Sequence, residues 1–182
     1  MIGDPRGNVH DQTLYCLDRF EGGWAHLQGD PGGATWMGMT VVGWEDFSGH
    51  RISAEELRAI PPDQILIAHT DLAAMRSGFF RIENWRPRLV AIDFAIHASR
   101  FTVTPILQRC CGAHPDGVFG RDTEAKANRM DPVRLATALL AARQRYHLED
   151  LEQHAGKRGF ARGWWARCAE LLSLVTEERA AA

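Results

Sequence analysis

Residues 11–40 read DQTLYCLDRFEGGWAHLQGDPGGATWMGMT. Leu14, Leu17 and Phe20 recur at helical spacing, and Asp11 is placed to cap the start of that helix. Gly22 and Gly23 are expected to end it as a left-handed C-terminal cap, leaving Glu21 on the last turn at the negative end of the helix dipole. With Phe20 and Trp24 as apolar neighbours, that carboxyl is expected to keep its proton and be able to donate it. Asp30 follows in the polar turn DPGG, where backbone N–H groups favour the ionised form, and Thr35 is close enough in sequence to help hold a water. Two carboxyl groups in contrasting environments are what cleavage of a glycosidic bond requires. Acids at helix ends and D-P-G-G turns are also ordinary turn chemistry, so spacing alone does not decide between the two.

Outward from this stretch the chain reads as all-α, with no period-two alternation long enough for a substantial sheet. Ser53 and Glu56 form a capping box for a short helix halted by Pro61 and Pro62. A helix is expected over 63–78, with Ile65, Leu66, Leu72 and Met75 inward. The most apolar helix spans 88–101, another starts at Thr104 and Pro105 and ends at Gly112, and a short one covers 121–130. Asp131 and Pro132 open the longest helix, to about His154, and a loop precedes a final helix from Trp164 to Glu178. Trp164 and Trp165 are expected to anchor that helix in the core, one of them partly exposed.

Composition bounds the function. A chain of 182 residues makes one domain, or one with a small subdomain, and needs no disulfides to bury a core. Its net charge is −2. The part through Ala91 holds 8 basic and 12 acidic residues and the remainder 13 and 11, too slight a basic excess for nucleic acid. Cys16, Cys110, Cys111 and Cys168 show neither a C-x-x-C pair nor zinc-ligand spacing, so reduced thiols are expected, with no metal and no cofactor. No apolar run reaches the roughly 18 residues of a membrane span, so stable membrane insertion is not expected. MIGDPRGNVHDQ lacks the basic and apolar segments of a signal peptide. Synthesis in the cytoplasm is therefore expected, with release by another route.

Two further features stand out. Asp93 lies between Ile92 and Phe94 on an apolar helix and needs a partner, either a backbone N–H or an arginine. His97, one turn later, shares its face. Trp24, Trp36 and Trp44 cluster early in the chain, where aromatic faces could stack on sugar rings or pack in a core.

The order E-G-G-aromatic, D-P-G-G-A-T and G-hydrophobe-T resembles the N-terminal signature of the glycoside hydrolase family 108 N-acetylmuramidases, which resemble phage endolysins and secretion-associated muramidases. LVAIDFAIHASRF at 89–101 is similar to the family's D-x-A-x-N-x-G segment, with His97 in place of Asn and Ser99 in place of Gly. Leu107-Gln108, the Asp116–Thr123 D-G-x-x-G-x-x-T pattern and FARGWWAR at 160–167 resemble its C-terminal, peptidoglycan-binding-like region. WMGMT at 36–40 departs from the usual N-K-G-I-T.

The resemblance implies a lysozyme-like catalytic region over 8–100 and a helical peptidoglycan-binding-like region over 101–178. It implies hydrolysis of the β-1,4 link between N-acetylmuramic acid and N-acetylglucosamine. Glu21 would be the general acid, Asp30 and Thr35 its helpers, and Trp24, Trp36, Thr40, Asp93 and His97 substrate contacts. The partner would be peptidoglycan glycan strands in the periplasm or cell wall, reached through a holin or a secretion system, with room for an immunity protein. The departures at Trp36, Met37, His97 and Ser99 leave open a catalytically weak cell-wall-binding or secretion-accessory protein.

Overall fold

A computed structural model describes residues 3–25 and 33–177, and Asp30 falls outside them. Asn8, not Asp11, caps the first helix, α1 (Val9–Phe20). The Asn8 side chain accepts from the N–H groups of His10 and Asp11, and Asp11 accepts from the Asn8 N–H, closing a capping box. No left-handed glycine cap forms at the other end. Glu21 leaves the helix extended (φ −94°, ψ 138°) while its N–H still donates to the Leu17 carbonyl, so the glycines serve the following stretch.

That stretch leads into a small antiparallel sheet, β1 (Trp24–Ala25), β2 (Thr35–Trp36) and β3 (Met39–Thr40), in that order. Met37 (φ 49°) and Gly38 (φ 76°) join β2 to β3. Positive φ at both positions is the type I′ hairpin turn, which glycine accepts freely and methionine does not.

Thr40 Oγ1 accepts from the Gly43 N–H and so caps α2 (Val41–Ser48). The Ser53–Glu56 capping box forms at the start of α3 (Ala54–Ala59). Pro62, which halts α3, is also the first residue of α4 (Pro62–Thr70), where its missing N–H is no loss. Beyond Thr70 the helix does not run on evenly: Asp71–Met75 form a π-helical turn. The wider turn rotates the following side chains, so Ala73 and Ala74 are buried and Met75, expected inward, is 44% exposed. Met39, Leu57, Ile65 and Ala68 make a minor core against which Trp36, Met37 and Trp44 pack.

A short 3₁₀ turn (Phe79–Arg81) leads to α5 (Trp85–Ala98), whose residues from Leu89 to Ala95 are all buried. A helix apolar all round belongs at the centre, and α1, α8 and α9 surround this one. Ser99 breaks it with φ 70° and ψ 148°, and α6 (Arg100–Cys111) begins at the next residue, so Pro105 lies inside α6 and not at its start. Gly112 ends α6 in the left-handed region. Gln108 then organises the 116–123 segment. Its amide nitrogen donates to Asp116 Oδ1 (2.7 Å), the Val118 carbonyl (3.0 Å) and Thr123 Oγ1 (3.1 Å), and its oxygen accepts from the Gly117 N–H (2.9 Å).

Three helices follow: α7 (Arg121–Arg129), α8 (Pro132–Gln153) capped by Asp131, and, after a 3₁₀ segment (Ala155–Phe160), α9 (Ala161–Thr176). The last begins earlier than Trp164. Leu135, Leu139, Leu171 and Val175 of α8 and α9 share one core with α5. Among the described residues no helix is long and apolar enough to cross a membrane, and all four cysteines are free thiols.

Ser99 occupies a conformation that costs a side-chain-bearing residue about 1–3 kcal/mol and glycine far less. Its hydroxyl accepts from the Phe101 N–H at 3.3 Å, a cap whose replacement by glycine costs only a few tenths of a kcal/mol. Ser99→Gly is therefore expected to stabilise the fold by about 1 kcal/mol, raising Tm by about 2–4 °C in a calorimetric comparison with wild type.

Candidate active site

The site is assembled from the end of α1, the β2–β3 hairpin, the end of α5 and the first turns of α9. They enclose a groove of about 640 Å³ whose lining includes Glu21, Thr35, Gly38, His97, Trp164 and Arg167. A second cavity of about 380 Å³ adjoins it, sharing Gly38 and His97 and lined further by Thr40, His69 and Ser99.

Glu21 stands at the outer end of a chain of alternating charge. Its Oε1 accepts from Arg167 Nη1 at 2.5 Å. Arg167 also donates from Nε and Nη2 to Asp93 Oδ1, at 2.9 and 2.6 Å, and Arg143 pairs with Asp93 Oδ2. Asp93 and Arg143 are fully buried, Arg167 is 8% exposed and the Glu21 side chain 17%, so only the outer end of the chain meets solvent. Burial pushes the Asp93 carboxyl up in pKa, but Arg167 and Arg143 outweigh it and hold the group well below the ordinary carboxylate range. The same burial, with Asp93 adjacent, pushes the Cys16 thiol up, so it is a protonated filler of the core. Arg167 lies over the Phe20 ring at 4.7 Å, which fixes the plane of its fork.

Backbone geometry completes the setting of the acid. A Cβ on Gly38 would stand 2.7 Å from Glu21 Oε2, so position 38 needs glycine both for its φ and to let the hairpin press on the carboxyl. His69, buried on α4, donates from Nε2 to the Met37 carbonyl at 3.0 Å and secures the left-handed Met37. Burial holds the His69 ring neutral, with its pKa pushed down to about 4 despite the nearby Glu21 carboxylate.

The wall formed by α9 is aromatic. Trp164 stacks on the buried His147 at 4.5 Å, and His97 meets both edge-on, at 5.5 and 4.9 Å. His147 Nε2 accepts from Arg143 Nε at 3.3 Å, which places the proton of the neutral ring on Nδ1. Burial and Arg143 push its pKa down to about 4, and burial in the cleft wall lowers that of His97 in the same direction. The imidazoles here are neutral, so these rings offer faces and edges without adding positive charge to that of Arg167.

Several expected contacts are placed elsewhere. Asp93 reaches no groove: it is wholly enclosed, because its two arginines cover it. Trp36 donates from its indole nitrogen to the Ile60 carbonyl at 2.9 Å and packs in the minor core, and Trp24 carries Arg58 over its ring at 5.6 Å, so neither lines the two cavities. Thr40 faces the smaller cavity but is engaged as a helix cap. Thr35, Glu21 and His97 do converge on the groove. Trp164, expected in the core, faces the groove instead. Arg167, Arg143, His69 and His147 were not anticipated from sequence, although Arg167 and Trp164 lie within FARGWWAR and Asp93 called for an arginine.

Glu170 also lines the groove, but both its oxygens are taken by Arg19 (2.5 and 2.7 Å), with Tyr15 adding a bond at 3.3 Å. Glu21 Oε2, by contrast, has no hydrogen-bond donor among the described residues. An arrangement of this kind can hold one carboxyl in a fixed direction against a bound chain while leaving one of its oxygens for proton exchange.

Comparison with known proteins relates part of the chain to a peptidoglycan domain and its fold to one solved structure. Residues 103–169 match the family described as Predicted Peptidoglycan domain. The fold matches that of SagA from Brucella abortus over 95% of this chain and 98% of that one, with a TM-score of 0.81 at 24% identity. No curated protein matches the sequence. The fold is all-α and lysozyme-like, and the C-terminal match supports a cell-wall-associated role.

The low pKa of His69 has a direct consequence. Between pH 6.5 and about 4 the unfolded chain binds a proton there and the folded protein does not, so stability is full above pH 6.5 and is lost as pH falls to about 4. The loss from this group is about 3 kcal/mol. His69→Gln is expected to flatten the fall in unfolding free energy across that window, measured by urea denaturation at several pH values.

Proposed function

We propose that the protein is a peptidoglycan hydrolase, an N-acetylmuramidase cleaving the β-1,4 bond between N-acetylmuramic acid and N-acetylglucosamine, with Glu21 as general acid. The observation that carries this proposal is the single oriented carboxyl of Glu21 in an open groove, its Oε2 without a donor among the described residues. A general acid must be held within hydrogen-bond reach of the departing oxygen and must be able to hold a proton when substrate is bound. Asp93 matters to the second requirement. When Glu21 is protonated, Arg167 keeps its hydrogen bonds to the Asp93 carboxylate that it shares with Arg143, so its guanidinium stays bonded.

Thr35, across the groove, and Asp30 are proposed to position the attacking water, the arrangement of an inverting hydrolase. His97 and Trp164 offer the sugar rings an uncharged wall. In this proposal residues 8–100 supply the acid and 101–178 a peptidoglycan-binding region whose α9 supplies Arg167. The enzyme works on the wall in the periplasm, reached through a holin or a secretion system.

A second function, wall binding or a secretion-accessory role with weak catalysis, is favoured by one feature: Glu21 stands in a 2.5 Å ion pair, as a structural carboxylate would.

The two separate on purified sacculi. Wild type is expected to release muropeptides ending in reducing muramic acid, identified by mass spectrometry, and Glu21→Gln to release them about 100-fold more slowly or worse. Binding to sacculi without release by folded wild type would instead establish the accessory role.

A further inference from the structure

The smaller cavity beside the acid has a further neighbour. It shares Arg100 and Phe101 with a third cavity of about 440 Å³, lined also by Phe80, Arg81, Val118 and Phe119. The three cavities are thus neighbours in a row, the first two sharing Gly38 and His97 and the last two Arg100 and Phe101, from Glu21 to the 116–120 loop. That loop is the segment tied by Gln108, and it lies within the region matched to the peptidoglycan family.

The chemistry of the far end differs from that of the acid. Phe101 is 71% and Val118 66% exposed, and both line this cavity. Arg100 lies over the Phe101 ring at 4.3 Å, and Arg81 over Phe119 at 5.0 Å. The ring faces that a sugar would stack on therefore carry guanidinium groups. Arg76, Arg81 and Arg100 line this cavity and no carboxylate does. Their acidic partners Asp71, Glu124 and Asp46 lie outside its lining, and the buried Arg81 Nε has no hydrogen-bond partner. Small apolar groups alternating with carboxylates are the complement of such a surface.

We propose that this far end takes the acidic stem peptide carried by the glycan, so that strand and peptide are read along one row of cavities. The proposal rests on the reading of the Glu21 groove as a glycan site. In the bound strand the peptide branches from a muramic acid seated at the smaller cavity and runs over Phe101 toward Val118, with its carboxylates on the arginine rim. The loop is rigid before binding, because Gln108 fixes it, so little ordering cost falls on the protein.

The test uses the full chain carrying Glu21→Gln, which keeps the size of the side chain and slows cleavage below the time of a binding measurement. Binding is measured to soluble glycan strands bearing stem peptides and to the same strands after an amidase has removed the peptides. The peptide-bearing strands are expected to bind about tenfold tighter. Adding Phe101→Glu should remove most of that difference by repelling carboxylates, whereas Phe101→Lys should keep it. Phe101 is exposed on the first turn of α6, so neither substitution disturbs the core. Equal binding to both strands, or equal effects of Glu and Lys at 101, would overturn the proposal while leaving the glycan site standing. No binding to either strand by the folded protein would overturn both.

Discussion

A carboxylate in the middle of the most apolar helix is the constraint from which the rest of the structure follows. Asp93 is surrounded by Ile92, Phe94 and the α1 residue Cys16, and at zero exposure its charge survives only with partners. Arg143 from α8 and Arg167 from α9 supply them, 50 and 74 residues away in sequence. Buried pairs of this kind are weak sources of net stability, but removing one member costs about 3–5 kcal/mol because it leaves the others uncompensated. What they specify is position: α8 and α9 must approach α5 at the one height and rotation that brings both guanidinium groups to the carboxylate. Two positive charges then face one buried negative charge, and Glu21 balances the second at the surface.

The hairpin meets this chain from the opposite side. Gly38 leaves room for the Glu21 carboxyl, Met37 accepts a disfavoured backbone conformation, and His69 holds Met37 there. A buried neutral histidine therefore secures the hairpin that presses on the acid. The wall across the groove is made of neutral rings for a related reason, since a protonated His97 or His147 would add to the positive charge of Arg143 and Arg167.

Much of this was legible in the sequence, and the residues show where legibility stopped. The capping box at Ser53, the Asp131–Pro132 helix start and the buried run of α5 are set by neighbours a few positions away, and those readings hold in the structure. The same local logic fails at the glycines after Glu21, because a following strand, not a cap, decides their conformation. It fails again at Asp71–Met75, where packing imposes a π turn that periodicity does not signal, and at Ser99, where an apolar run continuing to Phe101 conceals a break. The resembled family's glycine at that position has a physical reason, the positive φ that Ser99 here must adopt. Glu21 could be singled out from sequence, but Arg167, 146 residues away, could not be paired with it, since nothing local links them. Trp36 illustrates the opposite error: a tryptophan beside an acid suggested sugar stacking, while the structure gives its N–H to Ile60 and its face to the minor core.

The central claim is that Asp93 and Glu21 are coupled through the shared Arg167. The most direct measurement is a double-mutant cycle of Asp93→Asn and Glu21→Gln, with unfolding free energies from urea denaturation. Each single change leaves Arg167 one counter-charge, and the double change leaves none. The double variant should therefore lose about 1 kcal/mol more than the sum of the singles. The excess should vanish when Arg167→Met is the common background. Additive losses with Arg167 in place would contradict the account.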